Sequence, residues 1–153
     1  MKKFLSIVGA FFLILVLIVA GFIAYVAYKG YGLDKSGKAY IEANIPAIIS
    51  TWSKDELLKR SSPDLLKLLN EKPEQLDQLF QKLSKLGAMR SFGEVKGDSN
   101  ISYTTQNGKV VTASYIGKGI FENGEAQISI RLILSSGQWQ IMLININSPI
   151  FLQ

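Results

Sequence analysis

The sequence contains no cysteine and no histidine. Without cysteine there are no disulfides, thiolate zinc sites, iron–sulfur clusters or thiol nucleophiles. Without histidine there is no Ser-His-Asp triad, no imidazole metal ligand and no histidine proton shuttle. The glycine patterns of phosphate-binding and dinucleotide-binding loops are missing too. Seventeen basic and 12 acidic residues give a net charge of +5. They are interspersed, with no basic run and no arginine cluster, so nucleic-acid binding has no support. Nor do the carboxylates cluster as a metal site requires, and no cofactor is implied. What is present is apolar: 48% hydrophobic against 19% charged residues argues for a folded chain. At 153 residues it has room for one ordinary domain plus an extra segment.

That extra segment opens the chain. Residues 4–28 carry no charge, and Ser6 is their only strongly polar side chain. As a helix the run is roughly 37 Å long, against a hydrocarbon core of roughly 30 Å. It is apolar on every face, unlike the helix of a soluble core. The expectation is a transmembrane anchor over 1–30, in contact with the lipid bilayer through residues 4–28. The rival is a cleaved signal peptide, for which Ile18-Val19-Ala20 is a poor cleavage site inside an apolar run that continues past it. Lys2 and Lys3 precede the span while Lys29, Lys35 and Lys38 follow it, so flanking charge does not orient it. The short leading tail and long trailing domain favour a single pass through the plasma (inner) membrane, with the C-terminal domain extracytoplasmic.

Gly30, Gly32 and Gly37 mark a linker over 31–37, and the remainder, 38–153, reads as one α+β domain. A first helix is expected from about Lys35 to Thr51, with Ile41, Ile45, Ile48, Ile49 and Trp52 on one face and a break or kink at Pro46. Ser53-Lys54-Asp55-Glu56 is a capping box opening a second helix. Ser62-Pro63 signals a third, and Pro73 a fourth running to about Leu86 with Gly87 as its C-cap. From Ala88 the pattern turns to β. Strands are expected over 89–95, 100–104, 109–122, 125–135 and 138–147, with turns at Asn107-Gly108, Asn123-Gly124 and Ser136-Gly137.

A two-residue Asn123-Gly124 loop pairs Phe121 with Ala126 and Tyr115 with Leu132; the following turn pairs Leu134 with Trp139 and Ile130 with Leu143. One sheet face then carries Tyr115, Phe121, Ile128, Ile130, Leu132, Trp139, Ile141 and Leu143, and the helices must cover it. The other face carries Ile116, Ile120, Ile133, Met142, Ile144 and Ile146, with Arg131 as a charge in mid-strand. It is more apolar than a solvated sheet face needs to be. A two-residue Asn107-Gly108 loop would send Ile101 and Tyr103 to this outer face, so a bulge or a longer loop is the alternative there.

Helices followed by a long antiparallel meander, with Trp52 to Leu69, Leu83 to Gly87, Asn123-Gly124 and Gly137-Gln138-Trp139-Gln140-Ile141 in that order, resemble the NTF2-like and cystatin-like α+β folds. In particular they resemble small membrane-anchored bacterial proteins of that kind. The resemblance implies a cone-shaped cavity between helices and sheet, and frequent dimers through the sheet. It implies no catalytic residue.

The chemistry-bearing residues point the same way. Asp55, Glu56, Asp64, Glu71, Glu74 and Asp77 lie at helix starts or on polar faces, where capping and the helix dipole account for them. Serines lack a base. The aromatics Trp52, Tyr115, Phe121 and Trp139, joined by an inward Asn145, are expected to line a cavity or pack the core. Ile116, Arg131, Ile133, Met142 and Ile144 are the expected interface, the alternative for this apolar face being the ordinary strand propensity of isoleucine. The expectation is a non-enzymatic, membrane-anchored binding module that forms a homodimer or binds a protein partner through the outer sheet face. The alternative is a small apolar-ligand carrier or weak enzyme that uses the internal cavity.

Overall fold

The computed structural model describes residues 2–106 and 108–152. Four helices precede the sheet: α1 (Lys2–Ile49), α2 (Lys54–Arg60), α3 (Pro63–Glu71) and α4 (Pro73–Leu83). Four strands follow: β1 (Met89–Thr104), β2 (Gly108–Phe121), β3 (Gly124–Ser135) and β4 (Gln138–Asn147). They form an open antiparallel meander in the order β1-β2-β3-β4. Two short 3-10 turns, Ser84–Leu86 and Pro149–Leu152, complete the α+β chain.

Two compact units divide the chain between Leu33 and Asp34. In the first, the described side chains from Leu13 to Tyr28 are all exposed. The apolar stretch of α1 has a mean hydropathy of 2.1 over an 18-residue window with nothing covering it. It is long and apolar enough to cross a membrane. The 31–37 stretch, expected as a linker, is helical and lies within α1. A glycine inside a helix costs only about 1 kcal/mol, and the three here do not stop one.

The helix starts of the second unit follow local chemistry. Ser53 Oγ accepts the Glu56 amide at 3.3 Å and Ser62 Oγ accepts the Leu65 amide at 3.4 Å, so α2 and α3 each begin with a satisfied donor. Proline opens both α3 and α4, where its missing N–H removes no hydrogen bond. Gly87, at φ 77°, closes the helical half in a conformation that a Cβ disfavours. Ile41, Ile45, Ile48 and Ile49 of α1, Leu57 of α2, and Leu76, Phe80 and Leu83 of α4 are buried. They cover a sheet face carrying Val111, Tyr115, Phe121, Ile128, Ile130, Leu132, Trp139 and Ile141, all buried. The Ser62 amide donates to the Ile141 carbonyl at 2.8 Å, which ties the α2–α3 junction to the edge of β4.

The register differs from the expected one in three places. Phe121 pairs with Gly124, so the β2–β3 loop is Glu122-Asn123 rather than Asn123-Gly124. Hydrogen bonds fix this choice: the Glu122 amide donates to the Ala88 carbonyl at 2.9 Å, the Asn123 amide to that of Leu86 at 3.0 Å, and Asn123 Nδ2 to that of Lys85 at 2.9 Å. The offset moves every partner by two residues and leaves the faces unchanged. At the β1–β2 turn, Thr104 pairs with Gly108, which leaves three residues between the strands and sets Ile101 opposite the buried Val111. Asn107 lies outside the described residues. The two short strands expected over 89–104 are one, made irregular between Gly93 and Lys96.

The third difference matters most. The β3–β4 ladder begins as expected, with Leu134 opposite Trp139 and Leu132 opposite Ile141. It then shifts: Arg131 faces Leu143, Ile130 faces Ile144 and Ser129 faces Asn145. Met142 is the extra residue of a β-bulge, and every side chain after it changes face.

Candidate functional site

The four aromatics expected around a cavity do not meet in one place. Trp52 stacks on Phe121 at 5.2 Å between ring centroids, and its Nε1 donates to the Gly87 carbonyl at 3.3 Å. Tyr115 and Trp139 instead grip the first turn of α1 in the second unit. Tyr115 OH donates to the Asp34 carbonyl at 2.9 Å, and Trp139 Nε1 donates to Ser36 Oγ at 3.0 Å. The same turn carries Gly37, packed so closely that a Cβ there would stand 2.5 Å from the Tyr115 oxygen. Asp34 also accepts two hydrogen bonds from Ser99 of β1, from its amide at 2.6 Å and from its hydroxyl. Burial pushes the Tyr115 phenol up to about 12, helped by the nearby Asp34 and Asp98 charges. Asp34 and Ser99 went unnoticed in the sequence, since their pairing spans 65 residues and no local pattern announces it.

Asn145 shares only the border of a small pocket with Trp52. It was expected to point inward, but the Met142 bulge sets it opposite Ser129 on the outer face, exposed. Ile144 and Ile146 make the reverse move, to the core face opposite Ile130 and Ile128. Leu143, expected inside, stands outside opposite Arg131. Among the described residues an apolar pocket of about 100 Å³ lies between Ile48, Trp52, Phe80 and Ile144, with Asn145 at its border.

A polar cleft of about 590 Å³ lies between α1, α2 and the start of β4. Its charges are already engaged. Arg60 Nε donates to Asn44 Oδ1 at 2.9 Å, and its Nη1 donates to the Glu56 carbonyl at 3.0 Å and to the Glu56 carboxylate. Hydrogen bonds from Lys59 and then Arg60 hold the Glu56 carboxyl below its ordinary value. Burial raises the Tyr40 phenol, and the Arg60 charge partly offsets the rise. Among the described residues no group of three acidic side chains comes together as a metal site.

The outer sheet face leaves several apolar side chains exposed. Ile116 is 47% exposed, Ile120 44% and Leu143 45%, and Ile133 and Met142 are half-buried. Arg131 stands among them on β3, exposed, with Ser114 across on β2 and Leu143 across on β4. Among the described residues it makes no hydrogen bond and no ion pair. Further along, Lys118 pairs with Glu125 at 2.7 Å, which raises the lysine's pKa. That end of the sheet opens into a groove of about 830 Å³ bordered by Ile116, Lys96, Lys118, Pro149 and Leu152. Four of the five expected interface residues therefore remain candidates for that face: Ile116, Arg131, Ile133 and Met142. Ile144 is replaced there by Leu143.

Comparison of the chain with family models, with curated proteins and with solved structures finds no match.

Proposed function

We propose that this chain is a membrane-anchored interaction module without enzymatic activity, whose α+β domain self-associates or binds a protein partner through its outer sheet face. The observation that carries the reading is the patch formed by Ile116, Ile120, Leu143 and the unpaired Arg131. Apolar side chains left exposed on one face, here interleaved with polar ones, mark contact sites, and arginine is enriched in them. The NTF2-like or cystatin-like assignment, and the likeness to small bacterial anchored proteins, belong to this proposal. They rest on the order of helices then meander. So does the placement in the plasma (inner) membrane with the domain outside, which rests on the short leading tail before the apolar run.

The alternative, a carrier of small apolar ligands or a weak enzyme, needs an interior site. Ligand pockets run to roughly 300–1,000 Å³, and the interior pocket holds about 100 Å³. The aromatics that would line a larger one are stacked or hydrogen-bonded to the backbone and to Ser36.

The test is Ile116→Asp in the full chain, reconstituted in lipid nanodiscs or native membranes. Chemical cross-linking should yield adducts of the unaltered chain that vanish in the variant, while its circular dichroism stays the same. If the unaltered chain gives no adducts, or the variant gives the same ones, the outer face is not a contact surface.

A further inference from the structure

We propose that the occupant of the outer face is a second copy of this chain, related by a two-fold axis running along β2, with Arg131 of each copy pairing with Asp98 of the other. The proposal rests on the reading of the outer face as a contact surface and names its partner.

It follows from one row of the sheet. Asp98 on β1 lies directly opposite Ser114 on β2, and Ser114 lies directly opposite Arg131 on β3. The three therefore share the outer face, with the acid and the base one strand to either side of Ser114. Two strand spacings, roughly 10 Å, separate Asp98 from Arg131 within a chain. Both are exposed, and among the described residues neither has an ion-pair partner. Rotation by 180° about a line along β2 exchanges β1 and β3. In face-to-face packing it sets each Arg131 over the other copy's Asp98, so that one symmetric contact satisfies four stranded charges. A planar guanidinium matches a carboxylate in a two-pronged hydrogen bond, which fixes the register of the row as well as its sign.

The rest of the face is compatible with that axis. Ile116 and Ile120 lie on β2 itself and meet their own copies, an apolar seam along the symmetry line. Lys118, which also meets its own copy, is already neutralised by Glu125. β4, with Leu143, lies outside the overlap, since order β1-β2-β3-β4 leaves nothing opposite it across an axis along β2. The three overlapping strands span roughly 14 Å, and the 14 residues of β2 roughly 47 Å, a footprint on the order of 700 Å² against the roughly 800 Å² per partner of a stable interface. A lipid surface fits less well: Lys96, Lys118 and Arg131 on this face are balanced by Glu94, Asp98 and Glu125, which leaves no net charge to attract anionic head groups.

The absence of cysteine makes the test clean. Ser114→Cys, on the proposed axis, is the only thiol in the full chain. Packed sheets stand about 10 Å apart, beyond disulfide reach, so a short bis-maleimide is the reagent, applied to the chain at low density in phosphatidylcholine nanodiscs. The expected result is a covalent dimer. In that background Arg131→Glu or Asp98→Arg alone should lower its yield at least tenfold, and the two together should restore it, because the reversed pair again matches. No dimer from Ser114→Cys, or a dimer whose yield ignores the charge reversals, overturns the proposal. If the charge reversals change nothing but Ile116→Asp still removes cross-linked adducts of the unaltered chain, the contact surface stands and its partner is something other than this copy. If moving to phosphatidylserine nanodiscs abolishes the dimer, the face is occupied by lipid and the proposal fails. Both side chains are exposed, and thermal unfolding of each single variant within a few degrees of the parent verifies that it folds.

Discussion

Tyr115 shows how much one side chain carries. Its ring fills the core and its hydroxyl donates to the Asp34 carbonyl. Its pKa in the folded chain lies near 12, against about 10 unfolded. Because the folded state holds the proton more tightly, this residue's stabilising contribution is complete below pH 10 and is lost as pH rises from there towards 12. Tyr115→Phe should cost about 1 kcal/mol at neutral pH through the lost hydrogen bond. It should also flatten the alkaline fall in stability. Urea midpoints of both proteins at pH 7 and at pH 11 test this: the gap between them must narrow at the higher pH. That Tyr115 would be buried was legible in the alternation along β2. That its hydroxyl would meet the chain 81 residues earlier was not, because a hydrogen bond to a carbonyl leaves no mark on the carbonyl's own residue.

At the scale of elements, what could be read depended on whether the controlling interaction was local. The starts of α2, α3 and α4 were legible because a serine cap or an N-terminal proline acts within three residues. Strand β4 was legible from Gln138 to Asn147 for the same reason, being bounded by turn residues. Its bulge was not. A strict alternation places Leu143 inside and Ile144 outside, and both are apolar, so the sequence reads equally well in either phase. Packing decides it by setting Ile144 against Ile130 and Ile146 against Ile128. The consequence is measurable. Ile144→Asp should destabilise the domain by about 3 kcal/mol, since it buries a charge against Ile130. Asn145→Asp should stay within about 0.5 kcal/mol, as expected of an exposed position. An unbulged strand predicts the opposite order, and a pair of denaturation curves distinguishes the two. The shifted Glu122-Asn123 loop is a further case: Asn-Gly is the favoured turn pair, but three hydrogen bonds to residues 85–88 outweigh that preference.

For the whole molecule, the question is where the folded body begins. The boundary at Leu33 and Asp34 falls within a helix, not in a loop. The residues just after it, Asp34 and Ser36, bond to β1, β2 and β4, and Ile41 and Ile45 follow them into the core. A protein starting at Asp34 should therefore fold alone and melt cooperatively. One starting at Pro46 should not, having lost two fully buried isoleucines and every hydrogen bond from that turn. Differential scanning calorimetry of the two fragments is the check, and a cooperative transition in the shorter one would show that the leading turn is dispensable. The α+β class and the order of helices then sheet were readable because composition changes abruptly at Ala88. The docking of α1 on three different strands was not, since it depends on contacts that span most of the chain.

The carboxylate of Asp34 has a consequence beyond the fold it supports. Strand β1 is 16 residues long and forms one edge of an open sheet, and bare edges of that length recruit strands from other chains. Asp34 occupies the Ser99 amide, one of the donors an incoming strand would need. Lateral zipping along this border must evict a charged group held by two hydrogen bonds. Removing that acid, as in Asp34→Ala, would leave a longer uninterrupted seam and a chain more prone to fibril growth.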